Sequence, residues 1–306
     1  MRIKPLNVMS YGFKSIGRLL TFLPLALRIQ LAKQHYYKLR NSYVKHFAFH
    51  FLNASLKDLK KDIYVTRDYI YIKDKKLNYK LRLNLRSFVG RLFLYKDNND
   101  DLGLLITKLL DTKSTYADIG ANIGQTALMA ASVCKQVYAF EPVPSALKEL
   151  KSNIKLNNFN NVKVHDFALS NKNSTAKISL SDENDGSHSL DSNFQKYTQN
   201  KYVRQISIKT KKFDSLKLKV DMVKIDVEGH ELSVLKGMTS SIKNTKYVVL
   251  ETTPLYYQDV LDFFDNHNFT QIKEYGDYNN GIMNLLFVNK SKVKNLNKVR
   301  SIAKCV

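Results

Sequence analysis

A chain of 306 residues with 44% hydrophobic side chains and 11 glycines has the composition of a folded globular protein, able to bury one large core or two modest ones, and not of a disordered chain. Its cysteines, Cys134 and Cys305, are too few for a disulfide framework or a thiolate zinc site and suit a reducing compartment, so a cytoplasmic location is expected. The formal net charge of +22 is unevenly placed: residues 1–57 hold ten Lys or Arg and no Asp or Glu.

Residues 1–61 are expected to form a basic helical arm. Leu19, Leu20, Leu23 and Leu27 make an apolar stripe bracketed by Arg18 and Arg28, with Pro24 able to kink it. The uninterrupted apolar run is far shorter than the ~20 residues of a membrane span, and no small-x-small cleavage pattern follows it. Two roles stay open for the arm. It could lie on the anionic inner face of a membrane, its cations at head-group level, or pack on its own domain or a partner.

Residues 62–96 read as a β-hairpin region. Ile63 to Val65 and Tyr69 to Ile72 are β-branched or aromatic, and Leu77, Tyr79, Leu81, Leu83 and Leu85 alternate with polar residues, which gives one buried and one wet face. The turn Asp74-Lys75-Lys76 joins the runs into a hairpin expected to cap the main sheet. The main domain is expected over 97–290 and a short basic tail over 291–306. Within the domain, Asp100 to Leu110 reads as the helix before the first core strand.

The segment Tyr116 to Gly124 runs from a buried strand into a helix start. Gly120 and Gly124 let the chain turn sharply and lie flat against a ligand, and Asp118 and Asn122 put polar groups at the mouth of the turn. Neither the dinucleotide fingerprint Gly-x-Gly-x-x-Gly nor the Gly-Lys-Ser/Thr ending of a phosphate loop is present. The second strand, Gln136 to Phe140, ends in Glu141. An acid at that strand tip is placed to accept hydrogen bonds from both hydroxyls of a ribose. A helix from Ser145 to about Leu156 and a strand from Val162 to His165 follow, and the latter ends in Asp166.

Ser181 to Asn193 forms a polar, turn-rich insertion that either carries binding groups or is a solvated hairpin tip. Val203 to Lys209 alternates as a strand. The stretch Asp221 to Glu231 is another buried strand entering an acid-rich loop, with a helix from Leu232 to Lys236. Tyr247 to Leu250 is a strand ending in Glu251, Val260 to Phe264 belongs to a helix, and Gln271 to Glu274 pairs antiparallel with Ile282 to Val288 across a turn at Tyr278 to Gly281.

Taken together, Asp118 to Gly124, Glu141-Pro142-Val143-Pro144 with Asn153 and Asn157 behind it, and Lys224 to Glu231 with Val234-Leu235-Lys236-Gly237 make this chain resemble the FkbM family of S-adenosylmethionine-dependent methyltransferases. The likeness spans roughly Asp97 to Asn289 and leaves the first third uncovered. It implies an α/β fold, a doubly wound, mostly parallel seven-stranded sheet of the class I (Rossmann-like) methyltransferase type. It also implies S-adenosylmethionine as cofactor, held by Asp118, Gly120, Asn122, Gly124 and Glu141, with Asp166 on the exocyclic amine of adenine and Phe140 or Phe167 beside it.

The implied reaction is O-methylation of a hydroxyl on a sugar of a glycan, glycolipid or natural product. A hydroxyl acceptor needs a base. His230 suits that role by its ordinary pKa and its place at a helix start, or else it caps the helix. Asp226 could hold the amino end of the cofactor or orient the acceptor, and Glu228 could join it in catalysis or serve as a helix cap. Glu251 and His188 are candidate acceptor-binding groups. The closeness of Asp226 and Glu228 leaves room for a divalent ion, but no metal is expected.

Two competing functions fit the charge: methylation of nucleic acid, or a membrane- or nucleic-acid-binding module on an inactive methyltransferase fold. Against the first, the strand tip Asp226-Val227-Glu228-Gly229 lacks the Pro-Pro-aromatic pattern that stacks a flipped base. Against the second, Asp118, Gly120, Gly124 and Glu141 are intact. Nucleic acid is therefore not the expected partner, and the oligomeric state is left open.

Overall fold

A computed structural model of the chain describes residues 62–66, 69–74, 77–84, 87, 89, 101–181, 184–277 and 281–305. The chain divides into two compact units, Met1–Asn98 and Asn99–Val306. The expected helical arm, residues 1–61, lies outside the described residues, as do Tyr278, Asn279 and Asn280 of the expected turn.

In the first unit, β1 (Asp62–Val65), β2 (Tyr69–Asp74) and β3 (Tyr79–Asn84) form an antiparallel sheet in that order. The alternation in the sequence is realised: Ile70, Ile72, Tyr79, Leu81 and Leu83 are buried, whereas Lys73 and Lys80, opposite one another, are exposed. The turn after β2 is tied by Asp74 Oδ1, which accepts from the Leu77 N–H at 2.9 Å.

The second unit opens with α1 (Asp101–Leu109). Next come β4 (Thr115–Ile119), α2 (Gln125–Ala131), β5 (Gln136–Phe140), α3 (Pro144–Asn157) and β6 (Val162–His165). A side sheet follows, made of β7 (Ala168–Leu169), β8 (Ser174–Ser181) and β9 (Tyr202–Lys211), with α4 (Ser192–Thr198) between the last two strands. The chain returns to the main sheet with β10 (Met222–Ile225), α5 (Glu231–Lys236), β11 (Tyr247–Thr252), α6 (Tyr257–Asn266), β12 (Phe269–Asp277) and β13 (Ile282–Asn289), and ends in α7 (Leu296–Lys304).

The main sheet has seven strands in the order β12-β13-β11-β10-β4-β5-β6, and β13 runs antiparallel to both its neighbours. This is the doubly wound, mostly parallel α/β architecture expected from the sequence. Side-chain alternation along each strand feeds two cores. Ala117, Ile119, Val223 and Ile225 pack with Val234 of α5 and Phe264 of α6 on one face. Tyr116, Val137, Ala139 and Met222 pack with Ile106 of α1, Ala127 of α2, Leu150 of α3 and Val299 of α7 on the other. Strand order reverses direction at β4, so the crevice beyond the carboxyl ends of β4 and β10 is where a ligand sits in such a sheet.

The structure departs from expectation at several points. Of the side sheet only β9 was expected; β7, β8 and the helix α4 form as well, with Ile178 and Leu180 of β8 buried against Val143 and Ala146. The residues expected as a basic tail form α7, capped by Asn295 Oδ1 accepting from the Lys298 N–H at 2.9 Å, with Val299 and Ala303 buried one turn apart. Glu251 lies within β11, opposite Asn284 of β13, and not past its end. Among the described residues, no helix is long and apolar enough to cross a membrane.

Candidate active site

The loop after β4 is fixed from three sides. The N–H groups of Gly120 and Ala121 donate to the Phe140 carbonyl at 3.1 and 3.0 Å, tying it to β5. Gly120 has φ +81°, and a Cβ there would meet the main-chain oxygen of Asp226. Gly124, φ +93°, begins α2, and a Cβ there would meet Leu150 of α3 at 2.5 Å. Between them Asn122 is also left-handed, φ 49°, a conformation Asn tolerates better than most residues. Asn153 of α3, fully buried, donates to the Ile123 carbonyl at 2.9 Å and holds the loop from below.

Glu141 faces this loop. Its Oε2 accepts from the Asn122 N–H and its Oε1 from the Val143 N–H, both at 2.8 Å. The carboxyl is 5% exposed, and burial pushes it up to about 7 against those two bonds. A carboxylate offers about four lone-pair sites, so two bonds leave acceptor capacity for a diol.

Asp118 stands differently from expectation. It is not at the mouth of the turn but fully buried beneath it, with Oδ2 accepting from Thr126 Oγ1 at 2.6 Å. Its Oδ1 lies 3.7 Å from Lys224 Nζ, in the strand beside it. Burial raises its pKa, with Lys224 opposing. The cause of the displacement is strand alternation, which turns residue 118 into the sheet's second face. Lys224, buried, also reaches Asp226 Oδ2 at 2.9 Å. Burial works against its charge, but Asp226 and Asp118 outweigh it and hold the ammonium well above its usual range. Sequence reasoning passed over this lysine. The signal was there: Lys224 stands two residues before Asp226 at the end of β10, the spacing that puts two side chains of extended chain on one side.

Past β10 the chain turns through Glu228, φ 54°, whose Oε2 accepts from Ser187 Oγ at 3.1 Å and whose carbonyl accepts from Ser189 Oγ at 2.6 Å. The polar insertion is thus anchored to this loop and is not a free hairpin tip. Burial, then Glu251 and Asp226, raise the Glu228 pKa well above the ordinary value. Glu251 is raised likewise, by burial and then Asp226. Carboxylate oxygens of Asp226, Glu228 and Glu251 lie within 4.8 Å of one another, a spacing open to a shared divalent cation. Glu231, another residue without an expected role, holds the turn: its Oε1 accepts from the N–H groups of Val227 and Gly229, both at 3.1 Å, and burial pushes it up to about 7.

His230 occupies the position before α5, and its Nε2 lies 2.9 Å from Ser170 Oγ. Burial lowers its pKa, so the ring is neutral at neutral pH. His188 Nδ1 accepts from the Ser181 N–H at 3.1 Å.

One cleft joins these groups, with about 680 Å³ of space counted out into its open solvent mouth. Gly120, Asn122, Phe140 and Glu141 line one part, and His188, Asp226, Glu228 and His230 another. Asp118, Gly124 and Glu251 support the walls without lining them. Asp166 is exposed and outside the lining. Its neighbour His165 turns inward instead, stacked on Phe140 with ring centroids 4.7 Å apart.

Residues 118–276, more than half of the chain, match the methyltransferase FkbM domain. Over 142 residues the chain is 31% identical to the hexuronic acid methyltransferase AglP of Haloferax volcanii, covering 44% of this chain and 54% of that one. It therefore spans about half the length of this curated relative. Similar solved structures include a methyltransferase FkbM from Methylobacillus flagellatus, with 14% identity, TM-score 0.42, and 86% and 58% of the two chains covered. Another is an rRNA methylase from Streptococcus thermophilus, with 14% identity, TM-score 0.41, and 63% and 97% covered.

Proposed function

The chain belongs to the FkbM methyltransferase family, and on that premise we propose that it transfers the methyl group of S-adenosylmethionine to a hydroxyl of a sugar borne by a glycan, glycolipid or natural product. The observation that carries this reading is the single cleft, in which a loop with no room for side chains at Gly120 and a backbone-anchored Glu141 share walls with His230, Glu228 and Asp226. The first group fits the cofactor: Glu141 would accept from the ribose hydroxyls, the Gly120–Asn122 backbone would lie along the amino-acid portion, and Phe140 would flank adenine. The cofactor, when bound, supplies an activated methyl group on a sulfonium centre.

The chain's own work is to orient an acceptor, exclude water and take a proton. His230, neutral and on the cleft, would receive the hydroxyl proton. Asp226 and Glu228 would accept hydrogen bonds from the acceptor's other hydroxyls, with Glu251 behind them and His188 also on the cleft. The hexuronic acid methyltransferase relative supports a sugar acceptor. The basic residues 1–57 would bring the enzyme to an anionic surface at the inner face of a membrane from the cytoplasm.

The test is transfer of isotopically labelled methyl from S-adenosylmethionine into a lysate of the source organism, separated into polysaccharide, lipid, nucleic acid, protein and small molecules. Label in polysaccharide or glycolipid is expected, absent with Glu141→Ala and reduced about 10²- to 10⁴-fold with His230→Gln. Label in nucleic acid would overturn the acceptor class, and full activity of His230→Gln would overturn the base.

A further inference from the structure

With Nε2 of His230 occupied by the Ser170 hydroxyl at 2.9 Å, only Nδ1 is left to take a proton from an acceptor. A neutral imidazole carries one proton, so the direction of this one hydrogen bond decides whether His230 can act as a base at all. If Ser170 donates, the ring proton sits on Nδ1 and no lone pair remains for the acceptor. If Ser170 accepts, the proton sits on Nε2 and Nδ1 is the base.

The surroundings of Ser170 favour acceptance. Its Oγ also lies 3.5 Å from Asn171 Oδ1, an acceptor toward which the hydroxyl proton can turn, leaving an Oγ lone pair for the ring N–H. Ser170 is also built as a fixed point. It is 5% exposed, its N–H donates to the Lys211 carbonyl of β9 at 2.9 Å, and its carbonyl lies against Gly237 at the end of α5, where a Cβ would stand 2.0 Å from that oxygen. The side sheet and α5 are thereby clamped together at the residue that touches the histidine.

We propose that Ser170 is a positioning residue that accepts from His230 Nε2–H and holds the imidazole in the tautomer whose Nδ1 lone pair serves the acceptor. The proposal rests on His230 being the base. In that step the acceptor O–H bond breaks, its proton joins Nδ1, and the resulting imidazolium keeps its Nε2 proton on Ser170 Oγ. The oxygen's electron pair forms the new O–C bond as the methyl group's bond to sulfur breaks.

Nitrogen NMR of the full chain labelled in its histidine rings, with His230 assigned by difference from His230→Gln, reads the tautomer directly with no acceptor or cofactor present. This outcome is therefore separate from that of the transfer assay. The expected result is an Nε2-protonated His230 ring in the wild type, loss of that single tautomer in Ser170→Ala, and its recovery in Ser170→Thr. An Nδ1-protonated ring in the wild type, or an unchanged ring in Ser170→Ala, would overturn the proposal. In the transfer assay Ser170→Ala is expected to lower kcat about tenfold or more with KM little changed, and Ser170→Thr to restore most of it. A loss confined to KM would overturn it too.

Discussion

A Cβ on Gly120 would stand 1.8 Å from the main-chain oxygen of Asp226, in a residue already at φ +81°. Backbone meets backbone there, so no side-chain rotation can relieve the contact. Gly120→Ala is expected to push the loop away from β10 and cut methyl transfer about 10²-fold or more, since displacements near 1 Å cost that much. Calorimetric titration with S-adenosylmethionine should show matching loss of affinity; unchanged affinity would mean that the loop does not seat the cofactor.

Glu141 is expected to make cofactor binding pH-dependent. Its ordinary value of 4.5 is raised by burial to about 7. Because the folded value is the higher, its contribution to the stability of the free enzyme is complete below about 4.5 and is lost as pH rises through about 7. Ligand affinity runs the other way. Ribose hydroxyls donate to the ionised form, so affinity should fall by up to about tenfold per pH unit below 7. Glu141→Gln should flatten the affinity profile, while part of the stability trend persists, because Glu231 titrates in the same window.

Lys224 is the buried counter-charge to Asp118 and Asp226. Lys224→Met preserves much of the volume but leaves the buried Asp118 without its cation. A loss of about 3–5 kcal/mol is expected from breaking a buried pair on one side. Urea unfolding at neutral pH measures it, and a loss below about 1 kcal/mol, the scale of exposed pairs, would show the pair to be solvated.

Asn153→Ala removes the amide that holds the Ile123 carbonyl. About 1–3 kcal/mol of stability should go with it, a fall in Tm of about 2–4 °C for each kcal/mol. Asn153→Asp, which loses the donor and buries a charge, should cost more than alanine.

How much of this was legible depends on how far apart the partners lie in the chain. Glu141, Asn122 and Gly120 belong to two neighbouring strand–turn segments, so their loop could be recognised before any fold was known. The contacts that fix Lys224 and His230 join distant segments: Lys224 to Asp118, and His230 to Ser170 across 60 residues. No local pattern states which strand will lie beside which. Asp166 follows the last residue of β6 and is exposed, whereas His165, the strand's last residue, stacks on Phe140, a distinction of one position that no sequence pattern marks. The terminal helix was hidden by its charge, because the lysines that mark a solvated tail also mark the outer side of an amphipathic helix.

The insertion of the side sheet between β6 and β10 also separates the two halves of the cleft along the chain. β4, β5 and β6 follow one another with a single helix between each pair, so the Glu141 half of the cleft can form from contacts close in sequence while the rest is still being synthesised. β10 arrives much later: the Thr115 N–H meets Asp221 Oδ2 across 106 residues. Until then the flank of β4 is an open strand edge, ready to pair with another chain. The half of the cleft expected to hold the methyl donor is thus complete in chain order well before β10, which delivers Asp226 to the cleft and covers the exposed flank of β4.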